Sequence, residues 1–325
     1  MIFDGFLQKR IKLDVLSEAV THKTNEGLDA TISLQKNGKS FYWASHFLGH
    51  EMSKNAAKLY SYCRILDELA DSEIEYGPDR LRNIHLNLKN KKKYSDPLLD
   101  EMLIFFEDMN LPFRALKDLI EGLLQDQNDV LIKNEAELIQ YSYHVAGSVG
   151  WMMCPILKCR NKKAFAFAVD LGIAMQLTNI ARDVREDACM GRRYLPSDWV
   201  NDMSPTDILE ASKKPNSKNA QLVKTAIIKL LCLADQYYRS GVKGLVFLPW
   251  KAHLAIGVAG CVYQKIGTQL IAKKVNWYDG RTVTSSFAKI LSSCSVLPLL
   301  FSRFLKPPKH DSKLHQYLAE KLDML

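Results

Sequence analysis

Gln176-Leu-Thr-Asn-Ile-Ala-Arg-Asp-Val-Arg-Glu-Asp187 runs a polar stripe through an otherwise apolar stretch. Gln176, Asn179, Asp183 and Asp187 follow one another at helical spacing, so on an α-helix they share one face. Leu177, Ala181, Val184 and Ala188 form the adjacent apolar face. Gly172, one turn upstream, leaves room against the backbone. Tyr60-Ser-Tyr-Cys-Arg-Ile-Leu-Asp-Glu-Leu-Ala-Asp71 repeats the plan, with Tyr60, Arg64, Asp67 and Asp71 on one stripe and Leu59, Cys63, Leu66 and Ala70 beside it. Two carboxylates four apart destabilise a helix by about 0.2–0.5 kcal/mol. One such pair is ordinarily a solvated face. Two pairs, one of them mixed with Asn and Gln inside an apolar run, point to a bound divalent cation. Oxygen donors of this kind suit Mg²⁺, which keeps waters and takes phosphate oxygens. Arg64 and Arg182 stand beside the carboxylates, where they can pair with diphosphate.

Outward from these stretches the chain reads as helical throughout. Its 325 residues are 47% hydrophobic and 25% charged, which excludes disorder for most of the length. Periodicity predicts helices over 47–72, 96–108, 113–127, 135–156, 164–188, 220–241, 253–274 and 287–304. Polar breaks at 87–96 and 201–219 read as surface loops. The whole of 1–325 is expected to form one all-α domain with a short basic tail from about residue 306. Lys and Arg number 44 against 36 Asp and Glu, a formal charge of +8. That surplus suits an anionic partner without naming it. The seven cysteines include no CxxC and lie mostly in apolar stretches, as reduced thiols of a cytoplasmic protein would. Neither they nor the eight histidines show metal-ligand spacing, which speaks against zinc. No signal-peptide pattern opens the chain, and no uncharged apolar run is long enough to span a bilayer. The stretch 290–302 reads as a buried helix or a surface-binding one. The lysines near Lys91 have one aromatic neighbour, Tyr94, and no nucleic-acid-binding module around them, so no nucleic-acid partner is expected.

With these motifs in order, the sequence resembles the squalene/phytoene synthase family, which joins two isoprenoid diphosphates head to head. Lys39-Ser-Phe-Tyr-Trp43 resembles an early family segment, and Tyr60 to Asp71 its first aspartate motif. Tyr141-Ser-Tyr-His-Val-Ala-Gly-Ser-Val-Gly150 resembles its central motif. Gln176 to Asp187, continued by Gly191-Arg-Arg-Tyr-Leu-Pro196, resembles the second aspartate motif and its tail. A weaker match runs on to Tyr263-Gln-Lys-Ile-Gly267, Arg281 and Lys289.

The resemblance implies the class I isoprenoid (terpene) synthase helical bundle with a central cavity. It implies that Asp67, Asp71, Asn179, Asp183 and Asp187 bind Mg²⁺, or Mn²⁺ in its place. Lys39, Ser40, Tyr60, Arg64, Gln176, Arg182, Tyr194, Tyr263, Arg281 and Lys289 would contact diphosphates or reacting chain ends. Tyr141 would lie over the carbocation path, and Gly150 and Gly172 would let prenyl chains approach the helices. Arg64, the four aspartates and Tyr141 form the implied catalytic set.

The Asp-Glu-Leu-Ala-Asp form of the first motif and the Tyr263–Gly267 segment look most like phytoene synthases. Those use two geranylgeranyl diphosphates, pass through a cyclopropyl diphosphate and need no NADPH. Squalene or dehydrosqualene synthase, with two farnesyl diphosphates, is the alternative. A non-catalytic relative serving as an assembly scaffold would have lost metal aspartates, and all four are intact. His144 reads as a core or polar-network residue, with a base role left open by its place in the motif. Glu68 and Glu186 point about 100° away from their neighbouring aspartates. The basic segments suit peripheral contact with an anionic membrane, at the inner face of which the lipid substrates would be met.

Overall fold

The computed structural model describes residues 30–71, 73–90, 96–128, 130–279, 286–304 and 306–322. Among the described residues the fold is helical, and the single β-type pairing is an isolated parallel bridge between Leu131 and Arg193. The first helices are α1 (Ala30–Asn37), α2 (Lys39–Ser45), α3 (His50–Ala70), α4 (Gly77–Asn90), α5 (Pro97–Asp108), α6 (Phe113–Gln125) and α7 (Glu135–Ser142). A π-helical turn, Tyr143–Gly147, joins α7 to α8 (Ser148–Ile156). The rest are α9 (Ala164–Cys189), α10 (Ser197–Val200), α11 (Pro205–Ser212), α12 (Lys218–Lys243), α13 (Trp250–Ala272), α14 (Ser286–Val296) and α15 (Ala319–Leu322).

α9 is the centre of the bundle. It packs along α12 and also meets α8, α11 and α13. Its Leu177, Ala181, Val184 and Ala188 are buried, as the apolar stripe requires. By length and composition α9 could cross a bilayer, but 67% of its most apolar window is buried inside the bundle. α3 buries Leu59, Leu66 and Ala70 in a second core shared with α5, α6 and α8. Several helix starts are written in the sequence. The Asp96 carboxylate accepts from the Leu98 and Leu99 amides ahead of Pro97, and Asn134 and Ser217 cap α7 and α12 in the same way.

Four expectations need correction or refinement. The predicted helix over 135–156 is divided by the π turn, which widens the backbone at Tyr143–Gly147. The stretch 201–219 is not loop throughout. Ser204 and Asp207 form a capping box and Pro205 occupies the first turn, so α11 begins there. The short basic tail expected from about 306 is packed onto the bundle. Leu318 is buried, the Tyr237 hydroxyl donates to the Leu314 carbonyl at 2.7 Å, and the Gln140 amide donates to the Tyr317 carbonyl at 3.1 Å. The stretch 290–302 is only partly a buried helix. α14 gives way to a 3₁₀ segment, Leu297–Phe304, on which Phe301 and Phe304 are 72% and 86% exposed. The basic residues Lys91, Lys92 and Lys93 lie outside the described residues.

Candidate active site

A cavity of about 440 Å³ opens between α3, the π turn, α8, α9 and α13. Most of its wall is apolar, with Leu59, Met153, Phe167, Leu171 and Ala259 among its side chains. Nine of the sequence-derived site residues line it: Tyr60, Arg64, Asp67, Tyr141, Gly150, Gly172, Gln176, Asn179 and Tyr263. α3 and α9 therefore bring their two polar stripes to one cavity.

Asp71 joins through a cross-link that spacing did not reveal, while Asp183 pairs with Arg182 and neither it nor Asp187 lines the cavity. Arg192 donates to Asp71 Oδ1 at 2.7 Å and to the Asp126 carbonyl at 3.3 Å. Asp126 Oδ2 accepts from the Tyr141 hydroxyl and its Oδ1 from the Tyr194 hydroxyl, both at 2.9 Å. The two tyrosine rings stack with centroids 4.9 Å apart. The backbone makes this meeting compulsory. Gly191 turns the chain at φ +75°, Arg193 N donates to the Val130 carbonyl, and Ile132 N donates to the Arg193 carbonyl. That pairing ties the end of the second aspartate motif to the loop after α6, whose C-cap is Asp126. A carboxylate at a helix C-terminus faces the negative end of the dipole. This mismatch was the one sequence signal for Asp126. Arg192 lies in the Gly191-Arg-Arg-Tyr194 run, where nothing local distinguishes it from Arg193. Its neighbour Arg193 is buried and holds the Met203 and Ile132 carbonyls, a structural role.

The arginines are already engaged with the carboxylates. Arg64 meets Asp67 at 2.8 Å, Glu68 at 3.0 Å and Glu73 at 3.3 Å. Arg182 pairs with its own neighbour Asp183 through both Nε, at 2.7 Å, and Nη2. Even so, negative charge exceeds its compensation. Burial, then the nearby Asp71 carboxylate, lifts Asp67 to about 6. Burial and then Asp183 lift Asp187 to about 8. Burial lifts Asp126 to about 6 against the pull of its two tyrosine hydroxyls. Burial pushes the Tyr60 hydroxyl up to about 12.

A divalent ion fits this donor set. Asn179 Oδ1 is buried with no hydrogen-bond partner, although Nδ2 of the same side chain reaches Gln176 at 3.4 Å. An orphaned carboxamide oxygen near carboxylates whose charge is made costly by burial and by one another is what a cation would satisfy. Glu186 Oε2 is also buried and unpartnered, so it lies closer to this charge than its helical angle suggested.

Phe41 on α2 packs at a tilt against Tyr263, with centroids 5.0 Å apart, and approaches Tyr60 at 6.3 Å. That contact sets Lys39 and Ser40 at the start of α2, close to the cavity wall but not among the residues that line it. Arg281 lies outside the described residues, and of Lys289 only its place on α14 is described. The two glycines line the cavity, but their missing side chains answer to helix packing. A Cβ on Gly150 would come within 2.2 Å of the Ala168 carbonyl oxygen, and one on Gly172 within 2.3 Å of that of Ala146. His144 is buried in the π turn with neither ring nitrogen partnered, its pKa lowered first by burial, and it does not line the cavity.

Residues 34–288 match the squalene/phytoene synthase family, a match that stops short of the C-terminal segment 306–322. The chain is 33% identical over 283 residues to a phytoene synthase of Thermus thermophilus, covering 85% of this chain and 92% of that one. It is 31% identical over 281 residues to a 15-cis-phytoene synthase of a Paracoccus species, covering 81% and 88%. A solved dehydrosqualene synthase with bound ligand superposes with a TM-score of 0.73 at 25% identity, covering 87% of this chain and 99% of that one.

Proposed function

The chain belongs to the squalene/phytoene synthase family, and we propose that within it the protein is a phytoene synthase, joining two geranylgeranyl diphosphates head to head. It has the isoprenoid synthase helical fold and is a prenyltransferase-type enzyme. The observation that carries the reading is the convergence of the two polar stripes, Tyr60, Arg64 and Asp67 of α3 with Gln176 and Asn179 of α9, on one apolar cavity.

The family uses a divalent metal for diphosphate binding. In this reading Asp67, Asp71, Asn179, Asp183 and Asp187 hold Mg²⁺, which supplies counter-charge for the departing diphosphate. Arg64 and Arg182 give up part of their carboxylate pairing to grip diphosphate oxygens, with Tyr60, Gln176 and Tyr263 around them. The apolar wall excludes water, which would otherwise quench the allylic cation as an alcohol. Tyr141 offers a ring face that stabilises a cation within about 6 Å, and its hydroxyl is occupied by Asp126. The double bond of the second substrate attacks the cation, and loss of a proton from the resulting tertiary cation closes the ring of a cyclopropyl diphosphate. That intermediate ionises and rearranges, and loss of a proton yields phytoene without NADPH.

The substrates and product are lipids, and the reading places the enzyme at an anionic membrane surface on the cytoplasmic side. The exposed Leu297, Phe301 and Phe304 beside Arg303, Lys306 and Lys309 support that placement. The deciding test is product analysis with geranylgeranyl and farnesyl diphosphates, with Mg²⁺, with and without NADPH. A forty-carbon hydrocarbon from geranylgeranyl diphosphate without NADPH is the expected result. Turnover of farnesyl diphosphate alone would move the protein to the squalene or dehydrosqualene branch, and no turnover of either would make it a non-catalytic relative.

A further inference from the structure

Behind the cavity wall, α9 presents a second cluster of ligating groups. Asp170 is completely buried. His310 Nε2 lies 2.7 Å from Asp170 Oδ2, and His315 Nε2 lies 2.7 Å from Asp170 Oδ1. The two imidazole rings are 4.3 Å apart between centroids. One donor atom from each of the three residues falls within 4.8 Å of the others. We propose that Asp170, His310 and His315 bind a first-row divalent transition ion, Zn²⁺ foremost, that clips residues 306–322 onto α9 and α12.

Charge is the first argument. A fully buried carboxylate is costly unless it is paired with positive charge. The groups that hydrogen-bond to Asp170 are His310, His315 and Ser240. None of the three is a fixed cation, as Lys or Arg would be. A divalent ion between the rings neutralises the carboxylate and uses both neutral imidazoles as ligands. Donor chemistry is the second argument. Two imidazole nitrogens and one carboxylate oxygen suit Zn²⁺ and its neighbours, whereas Mg²⁺ and Ca²⁺ take oxygen. The cluster is therefore chemically distinct from the aspartate-rich site.

Preorganisation is the third. His310 and His315 have four residues between them, which lies within the spacing of paired zinc histidines and corrects the expectation that no histidines are so placed. Their segment is anchored apart from the cluster by the Tyr237–Leu314 and Gln140–Tyr317 hydrogen bonds and by the Lys321–Glu121 ion pair at 3.4 Å. Tetrahedral bonds of about 2.0 Å set ligand atoms about 3.3 Å apart, so the 2.7 Å contact to the ligating carboxylate oxygen would open by about 0.6 Å. Ser240 then remains as the outer partner that orients the carboxylate. The side chains of His310 and His315 are 15% and 12% exposed, which leaves an entry path on the solvent side. His310 also packs edge-on against Phe167 at 5.1 Å, and Phe167 lines the cavity, so the clip braces that wall.

The test uses the full chain, stripped with chelator and re-equilibrated with ZnCl₂ in excess Mg²⁺, followed by gel filtration and metal analysis. One equivalent of Zn²⁺ per chain is expected. His310→Ala/His315→Ala should lose it, while Asp67→Asn/Asp183→Asn should keep it. Co²⁺ in place of Zn²⁺ in the unmodified chain should give visible d–d absorption of a nitrogen-ligated ion, a readout that needs no variant to fold. Absence of both retained Zn²⁺ and that absorption would overturn the proposal. So would equal retention by the histidine variant, or loss from the aspartate variant.

Discussion

Asp187→Asn should stabilise the protein in metal-free buffer while abolishing its activity. Asp187 sits among Asp183, Glu186 and Asp126 and titrates at about 8 instead of 3.8. The folded chain therefore holds a proton that the unfolded chain releases above pH 4. Stability falls as pH rises from about 4 to about 8 and levels off above that. The full displacement costs the fold on the order of 5 kcal/mol at pH 8 and above. Partial solvent access and relaxation of neighbouring side chains reduce this to about 2–3 kcal/mol. Asn carries no charge to bury and escapes that cost. In a chain of this size the gain corresponds to a rise of about 3–5 °C in Tm. At pH 5 most of the penalty is absent in both proteins, and the gap should shrink below about 1 kcal/mol. The assay is thermal unfolding with EDTA across pH 5 to 9, repeated with Mg²⁺. Mg²⁺ should raise the wild-type Tm most at the alkaline end and raise that of the variant less. An Asp187→Asn Tm that is unchanged or lower at pH 8, or a gap independent of pH, would show that the carboxylates are not under electrostatic stress and would undo the argument for a cation site.

Other outcomes follow from the same geometry. Asp67→Asn or Asp183→Asn should lower kcat by at least about 10²-fold, with the helical circular dichroism spectrum intact; retained activity in both would remove them from the metal site. Arg192→Ala releases Asp71 and the Asp126 carbonyl together and should cost about 1.5–3 kcal/mol of stability in urea unfolding; a neutral result would mean the cross-link is dispensable. Gly172→Ala drives a Cβ to 2.3 Å from the Ala146 carbonyl oxygen, and its unfolding midpoint should drop by the equivalent of about 3 kcal/mol or more. Phe301→Ser with Phe304→Ser should reduce co-sedimentation with anionic vesicles while leaving Tm within a degree or two of wild type, since both side chains are exposed.

The two aspartate stripes were legible because helical spacing alone decides which residues share a face. The buried sides of α3 and α9 followed for the same reason, and Leu66 and Leu177 are indeed fully buried. α4 is hard to read because its leucines do not keep one face: Leu81 and Ile84 are buried, Leu88 packs at the edge of the core and Leu86 is exposed. α11 was missed because its cap was read as loop composition; Ser, Pro and Asp serve turns and helix starts alike. The role of Gly172 was visible only in part. Room for a bulky neighbour was inferred, and the neighbour that fills it is the backbone of the π turn.

By itself the sequence determined the helical class, the two carboxylate faces and the residues that match the family, because each depends on neighbours within a turn or two. Only the tertiary structure decided that α3 and α9 line one cavity, that Arg192 and Asp126 join their ends, and that His310 and His315 close on Asp170. Those contacts span 66 to 145 residues of chain. No local period encodes them; they arise when buried faces are packed against one another and the remaining polar groups must find partners.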